Sequence, residues 1–263
     1  MGRKGVISMS VDLEKLKKIV REAGEIISQA NLTPEQIRSK TSQKDLVTKY
    51  DVEVQDFLES RFQELWPDRH FMGEEQDEYR YEQSGFLVDP IDGTSNFIFG
   101  IPHFCISVAV LEQGEIVQGV VYNPVVDEMY WAEVGQGSYL NGDRLKNLDF
   151  ALGEAVFGVG GSPYDPNSIE PTVRLIAKIM EEGDIRRLGS AALDLCYVAS
   201  GRQGGYFEFA INPWDIAAGL LIAREAGVTV TTLDGEEPPL TRTTSILAAG
   251  PKIYAKIKNF IGF

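Results

Sequence analysis

Residues 85–97 read GFLVDPIDGTSNF, from Gly85 to Phe97, and the order of residue types in this stretch sets the terms for the rest of the chain. Phe86, Leu87 and Val88 form a short apolar run bounded by Pro90, which predicts a buried strand ending at Asp89. Pro90 lacks an N–H and fixes its own φ, so it stiffens the turn and holds Asp89 extended rather than helical. Both Asp89 and Asp92 can then converge. Asp92-Gly93-Thr94-Ser95-Asn96 reads as a turn opening a helix, where free N–H groups and the helix dipole favour an anion. Two carboxylates beside such a turn are the chemistry of a metal and phosphate site. The bland alternative is an ordinary Asp-Gly turn with Asp92 as N-cap, which suits either aspartate alone better than the whole string.

Upstream, Leu13, Leu16, Ile19, Val20, Ala23, Ile26 and Ile27 recur at helical spacing and predict an amphipathic helix from Asp12 to Ala30. A second apolar periodicity predicts a helix from Val52 to Trp66, stopped by Pro67. Between them, Asp45-Leu46-Val47-Thr48 sets a carboxylate and a hydroxyl around two apolar residues. Asp45 is therefore a candidate to support the site from behind, or a plain surface aspartate. Gly73-Glu74-Glu75 delivers two adjacent carboxylates after a short apolar approach. Neighbours in extended backbone point to opposite sides, so one of Glu74 and Glu75 is a candidate ligand beside Asp89 and Asp92.

Downstream, Cys105 to Leu111, Glu115 to Tyr122 and Glu128 to Glu133 read as an antiparallel meander. Gly135-Gln136-Gly137 follows a strand and is too short for a phosphate-binding loop. From about residue 152 the pattern changes to strand–helix alternation, which predicts an α/β half. Within it, Asn212-Pro213-Trp214-Asp215 opens a helix that is apolar nearly all round, with Asp215 as cation ligand or cap. Glu208 lies in the aromatic strand Tyr206-Phe207-Glu208-Phe209, facing solvent or lining a polar pocket. The lone histidines, His70 and His103, carry no catalytic signal. The halves, about 10–150 and 151–263, have no Pro- or Ser-rich linker between them, so a single domain over 1–263 is expected.

A net charge of −14 argues against unassisted binding to nucleic acid or an anionic membrane. No run of 18 apolar residues appears. The two cysteines, Cys105 and Cys196, lack metal-ligand spacing and read as buried reduced thiols, which favours a cytoplasmic protein. Residues 1–9 read as a tail.

Taken together, the GEE, DPIDGT and WDIAAG strings, with an upstream aspartate in DLVT, resemble the inositol monophosphatase family of magnesium-dependent, lithium-sensitive phosphatases. The resemblance covers most of the chain, including LGSAALDLCYVASG, and points to bacterial members. It implies a layered αβαβα sandwich, α+β in one half and α/β in the other, usually assembled as a homodimer. It implies that Glu74, Asp89, Asp92, Asp215 and the Ile91 carbonyl hold two or three Mg²⁺ ions. Glu74 and Thr94 would orient the attacking water, and Asp45 would accept a hydrogen bond from the Thr94 hydroxyl. The Gly93 and Thr94 amides would hold phosphate, with Asp92, Ala191, Glu208 and Asp215 also contacting substrate.

The activity implied is hydrolysis of a small phosphorylated polyol or sugar, inositol monophosphate first. Fructose 1,6-bisphosphate, histidinol phosphate and 3′-phosphoadenosine 5′-phosphate are alternatives within the same metal chemistry, and a non-catalytic magnesium-binding interaction protein is the alternative outside it. Asn96 after Gly93-Thr94-Ser95 resembles the inositol phosphatases. Two departures from the family pattern are Phe86, where a Trp is usual, and Gly227-Val228, where two small residues are usual.

Overall fold

The computed structural model describes residues 10–30, 33, 37–39, 46–76, 79–146, 148–161 and 165–261. Asp12 caps the first helix, α1 (Leu13–Ser28), by accepting the N–H groups of Glu14 and Lys15. Its apolar stripe of Leu16, Ile19, Val20, Ala23 and Ile27 is buried. The paired strands β1 (Ile37–Ser39) and β2 (Leu46–Thr48) lead into α2 (Lys49–Leu65). That helix starts three residues before the expected Val52, because Thr48 and Asp51 close a capping box around its first turn.

Next come β3 (His70–Gly73), β4 (Gly85–Asp92), the short helix α3 (Thr94–Ile98), and the meander β5 (Cys105–Glu112), β6 (Glu115–Asn123), β7 (Glu128–Glu133), β8 (Gly137–Leu140) and β9 (Asp143–Arg144). These strands form a seven-stranded sheet in the order β3-β4-β5-β6-β7-β8-β9. All pairs are antiparallel except β3 with β4. The second half contributes β10 (Val156–Val159), α4 (Pro166–Met180), β11 (Asp184–Arg186), α5 (Ala191–Ala199), β12 (Gly205–Ile211), α6 (Pro213–Glu225), β13 (Thr229–Thr231), β14 (Thr244–Ala249) and α7 (Pro251–Ile261). Its five strands order as β11-β10-β12-β14-β13, parallel at β10 and antiparallel around β14.

Strand β4 corrects the expected boundary. It does not stop at Asp89 but runs through Pro90 to Asp92, with a slip against β5. Asp89 pairs with Ser107 and Asp92 with Cys105, so three steps on one strand face two on the other. This is a β-bulge, where a residue without an N–H is tolerated.

Alternation along β4 divides two cores. Phe86 and Val88 pack against α1 and α2, while Leu87 faces α5 and α6. Phe86 stacks on Phe62 with ring centroids 4.2 Å apart, and Trp66 lies 5.5 Å from the same ring. The inner core joins Leu87, Val121 and Tyr130 of the first sheet, helices α5 and α6, and Tyr206, Ile246 and Ala248 of the second. A third cluster places α4 and α7 on the far side of that sheet. The layers are therefore helices, sheet, helices, sheet, helices. Helix α6 lies so close to β6 that a Cβ at Gly119 would come within 2.8 Å of the Ala218 carbonyl. Among the described residues no helix is long and apolar enough to cross a membrane.

Candidate functional site

Three elements bring carboxylates to one place. The Glu74 N–H donates to the Val88 carbonyl at 3.1 Å, which sets Glu74 beside the end of β4. Asp89, at the bulge, accepts the Ile91 N–H at 3.0 Å. Asp215, in the first turn of α6, accepts the Asn212 N–H at 3.1 Å. Ligand oxygens from Glu74, Asp89 and Asp215 all lie within 4.8 Å of one another. Part of Asp215 is accessible, yet its carboxyl group is enclosed. Burial, followed by the charges of Glu74 and Asp92, pushes it well above the usual carboxylate range. An all-oxygen donor set with crowded negative charge fits a hard divalent cation. Of the two candidates Glu74 and Glu75, it is Glu74 that joins the group; the Glu75 N–H donates to Gln55 Oε1.

Asp92 lies outside that trio. Its Oδ2 accepts from Ser190 Oγ at 2.6 Å and from the Ala192 N–H at 2.7 Å, and its Oδ1 is 3.3 Å from the Ala191 N–H. Asp92 thus anchors the N-terminus of α5 in the centre of the molecule, and Ala191 meets the site through its amide. Burial is the main force that raises Asp92 to about 6, with these donors opposing it.

The Thr94 hydroxyl is 3.0 Å from the Ile91 carbonyl and 3.1 Å from Asp51 Oδ1. Asp51 is 1% exposed, and its other oxygen accepts both the Thr48 hydroxyl at 2.7 Å and the Thr48 N–H at 2.8 Å. Among the described residues the carboxylate that meets the Thr94 hydroxyl is Asp51; Asp45, the expected acceptor, lies outside the described residues. The missed signal was the Thr48-x-x-Asp51 spacing of a capping box, whose acid here turns one oxygen to the helix start and the other to Thr94. Burial raises Asp51, and Glu74 adds to the effect. Gly93 opens α3 at φ +96°, a left-handed conformation that suits glycine, and a Cβ there would press on the His103 carbonyl at 3.1 Å.

Asn96 plays a structural part. Its amide donates to the His103 carbonyl at 2.6 Å and to the Leu188 carbonyl at 2.7 Å, tying α3 to the approach to α5. The Gly135-Gln136-Gly137 turn likewise has a structural part, because the Gly135 and Gly137 N–H groups clasp the Glu225 carboxylate at 2.8 Å each.

The far wall comes from β12. Glu208 is buried, not facing solvent, and accepts the Tyr206 hydroxyl at 2.6 Å. Burial pushes Glu208 up to about 7. A Cβ at Gly160, just past β10, would come within 1.9 Å of Glu208 Oε2, so the carboxylate fills the space a side chain would occupy.

The sequence matches the profile of the Inositol monophosphatase family over residues 9–259. The chain belongs to the inositol monophosphatase family. It is 41% identical over 222 residues to an inositol-1-monophosphatase of Rhizobium meliloti, covering 82% of this chain and 83% of that one. It is 38% identical over 221 residues to a fructose-1,6-bisphosphatase/inositol-1-monophosphatase of Thermotoga maritima, covering 84% of each. The solved structure of extragenic suppressor protein suhB from Bartonella henselae matches with a TM-score of 0.86 at 34% identity, over 95% of this chain and 98% of that one. This inositol monophosphatase family member is accordingly a phosphatase with the layered fold of its relatives. Both departures are accommodated by packing: Phe86 shares its aromatic cluster with Trp66, and Val228 is buried in the inner core behind Gly227 at φ +90°.

Proposed function

We propose that the chain hydrolyses a phosphorylated polyol, inositol monophosphate in first place, with Mg²⁺ as cofactor and water as nucleophile. The convergence of Glu74, Asp89 and Asp215 within 4.8 Å carries this reading. The name of the Rhizobium meliloti relative supports the substrate. Glu74, Asp89, Asp215 and the Ile91 carbonyl would hold the ions, joined by Asp92 through Oδ1, whose one hydrogen bond among the described residues is the long 3.3 Å approach of the Ala191 N–H. When bound, Mg²⁺ would neutralise charge on the phosphate and make water more acidic.

The chain's own residues supply positioning. Glu74 and Thr94 orient the water, and Asp51 fixes the Thr94 hydroxyl so that its oxygen presents a lone pair. The Gly93 and Thr94 amides face the phosphate. Glu208 and the Ala191 backbone take the polyol. The bond from water oxygen to phosphorus forms as the ester bond breaks; one proton of the attacking water stays on the new phosphate oxygen and the other goes to solvent, which returns one to the departing alkoxide. Neither histidine is needed: burial holds His103 down to about 4, so it stays neutral near pH 7.

A homodimer and lithium sensitivity belong to the same reading, as does a cytoplasmic setting, in keeping with the buried free thiols of Cys105 and Cys196. A non-catalytic role is disfavoured by the presence of every carboxylate together with the Thr94–Asp51 pair.

The test is kcat/KM for inositol 1-phosphate, fructose 1,6-bisphosphate, histidinol phosphate and 3′-phosphoadenosine 5′-phosphate at millimolar Mg²⁺. Highest efficiency on inositol 1-phosphate is expected. A different winner would keep the hydrolytic reading and move the substrate, and no release from any ester would overturn both.

A further inference from the structure

One face of α2 reaches the site at two points. Asp51 and Gln55 stand four residues apart, about one helical turn, so their side chains lie on the same side. Both are buried, Gln55 with 5% of its surface exposed. Asp51 Oδ1 meets the Thr94 hydroxyl, while Gln55 Oε1 accepts the Glu75 N–H at 2.8 Å, in the turn that carries Glu74. The Glu74 N–H donates to the Val88 carbonyl. The turn is thus gripped by β4 through one amide and by α2 through the next. Gly73 lets the helix approach, since a Cβ there would come within 2.2 Å of Gln55 Oε1. A buried amide among Val54, Leu58 and Phe62 costs stability unless its polar atoms are used. Apolar packing alone does not ask for glutamine at this position; an acceptor for the Glu75 N–H does.

We infer that Gln55 is a positioning residue for Glu74. Helix α2 then sets the spacing of the two groups that orient the attacking water, Thr94 through Asp51 and Glu74 through Gln55. The inference rests on the phosphatase reading above, in which Glu74 is a Mg²⁺ ligand. Gln55 acts through the backbone and not on the ion or the ester. It holds the turn in place before the metal binds, so that little ordering is left to be done on binding. Its loss would therefore weaken the metal site more than the contacts to the ester.

The experiment uses the full-length protein as wild type, Gln55→Met and Gln55→Glu. Methionine keeps the length and bulk but is a weak acceptor, whereas a glutamate oxygen can still accept the N–H. Mg²⁺ binding is titrated by calorimetry without ester, and kcat and KM for inositol 1-phosphate are measured across a Mg²⁺ series. In Gln55→Met, the Kd for Mg²⁺ and the Mg²⁺ concentration at half-maximal rate should rise together about tenfold, the lower end of the loss when a group supporting a metal ligand is removed. KM for the ester at saturating Mg²⁺ should stay within about threefold of wild type. Gln55→Glu should recover most of the metal affinity. In wild type, hydrogen exchange at the Glu75 amide should be slow even in EDTA. Fast exchange there, an unmoved Kd in Gln55→Met, or a Gln55→Glu variant as defective as Gln55→Met would each overturn the positioning role. So would a Gln55→Met enzyme that loses rate equally at every Mg²⁺ concentration with a lowered thermal midpoint, the pattern of a purely structural residue. All of these outcomes leave the phosphatase reading in place. Wild type that binds no Mg²⁺ and releases no phosphate would overturn that reading and the positioning role with it.

Discussion

Strands β4 and β12 use the same backbone device for different chemistry. Each keeps regular register with its neighbour up to a carboxylate and then slips by one residue. Asp89 pairs with Ser107 before the slip in β4, and Glu208 pairs with Ile246 before the slip in β12. A bulge re-aims the side chains next to it, and both bulges lie where a sheet meets the site. At β4 the acid joins two others. The influences on its neighbour Asp215 are mostly upward: burial, Glu74, Asp92 and Glu208, against one N–H. At β12 the acid has a hydroxyl donor, Tyr206, and Arg187 within electrostatic reach. The first end asks for added positive charge; at the second, burial and Asp92 still hold Glu208 up, but Tyr206 and Arg187 oppose them, and the group suits hydroxyls. One chain thus separates bond breaking from recognition by what surrounds two equivalent bulges.

That contrast has measurable consequences of decreasing size. Removing a carboxylate at the β4 end should abolish chemistry but relieve crowding. Asp215→Asn is expected to lower kcat about a thousandfold or more, since charge stabilisation at the phosphate is lost. In EDTA its thermal midpoint should rise by a few degrees, roughly the response to removing one unfavourable buried charge. A fall of the midpoint in EDTA would show that the carboxylates do not strain the fold.

The support behind Thr94 comes next. Asp51→Asn should cost about a hundredfold in kcat, the scale of a misplaced water-orienting group. Asp45→Asn is the control: a smaller loss than in Asp51→Asn is expected if Asp51 is the acceptor that supports Thr94. Steady-state kinetics on the pair decides between Asp51 and Asp45.

At the β12 end the effect should be smaller and different in kind. Gly160→Ala introduces a methyl group where Glu208 Oε2 now lies, 1.9 Å from the new carbon. KM for the polyol ester should rise about tenfold with kcat nearly kept, the mark of lost ground-state binding. A kcat defect without a KM change would place Glu208 in the chemistry.

The smallest effect concerns His103, which belongs to neither end. Burial lowers it from 6.5 to about 4, and its Nε2 has no hydrogen-bond partner among the described residues. The unfolded chain therefore binds a proton that the folded chain refuses. Stability from this residue is fully present above about pH 6.5 and is lost as pH falls toward 4. Denaturant titrations of His103→Gln should show a shallower loss across that window and little change at pH 8.

Legibility followed the same division. The β4 end was readable because Pro90 and Gly93 mark a bulge and a left-handed turn within a few residues, and because alternation of Phe86, Leu87 and Val88 shows a strand buried on both faces. The strand boundary was misplaced for the same reason: proline signals an ending in sequence, and a bulge lets the strand continue. Asp51 was hidden because its position looks like an ordinary helix start. That it also serves Thr94 depends on α2 and α3 meeting in space. The β12 end was least legible, since Phe209-Ala210 carries no mark of a slip and the space beside Glu208 is made by a glycine on another strand. The structural part of Asn96 was not legible either, because its amide is spent on two backbone carbonyls, His103 in the nearby loop and Leu188 in a distant segment.

The most direct measurement is a Mg²⁺ titration of the purified protein, followed both by calorimetry and by phosphate release from inositol 1-phosphate, with Asp89→Asn beside wild type. Wild type should bind Mg²⁺ over the range in which activity appears, lose activity in EDTA and regain it on adding Mg²⁺. Asp89→Asn should lose both signals while keeping its circular dichroism. Phosphate release that persists in EDTA, or an Asp89→Asn enzyme that binds Mg²⁺ and turns over like wild type, would contradict the assignment of the three carboxylates as the reaction centre.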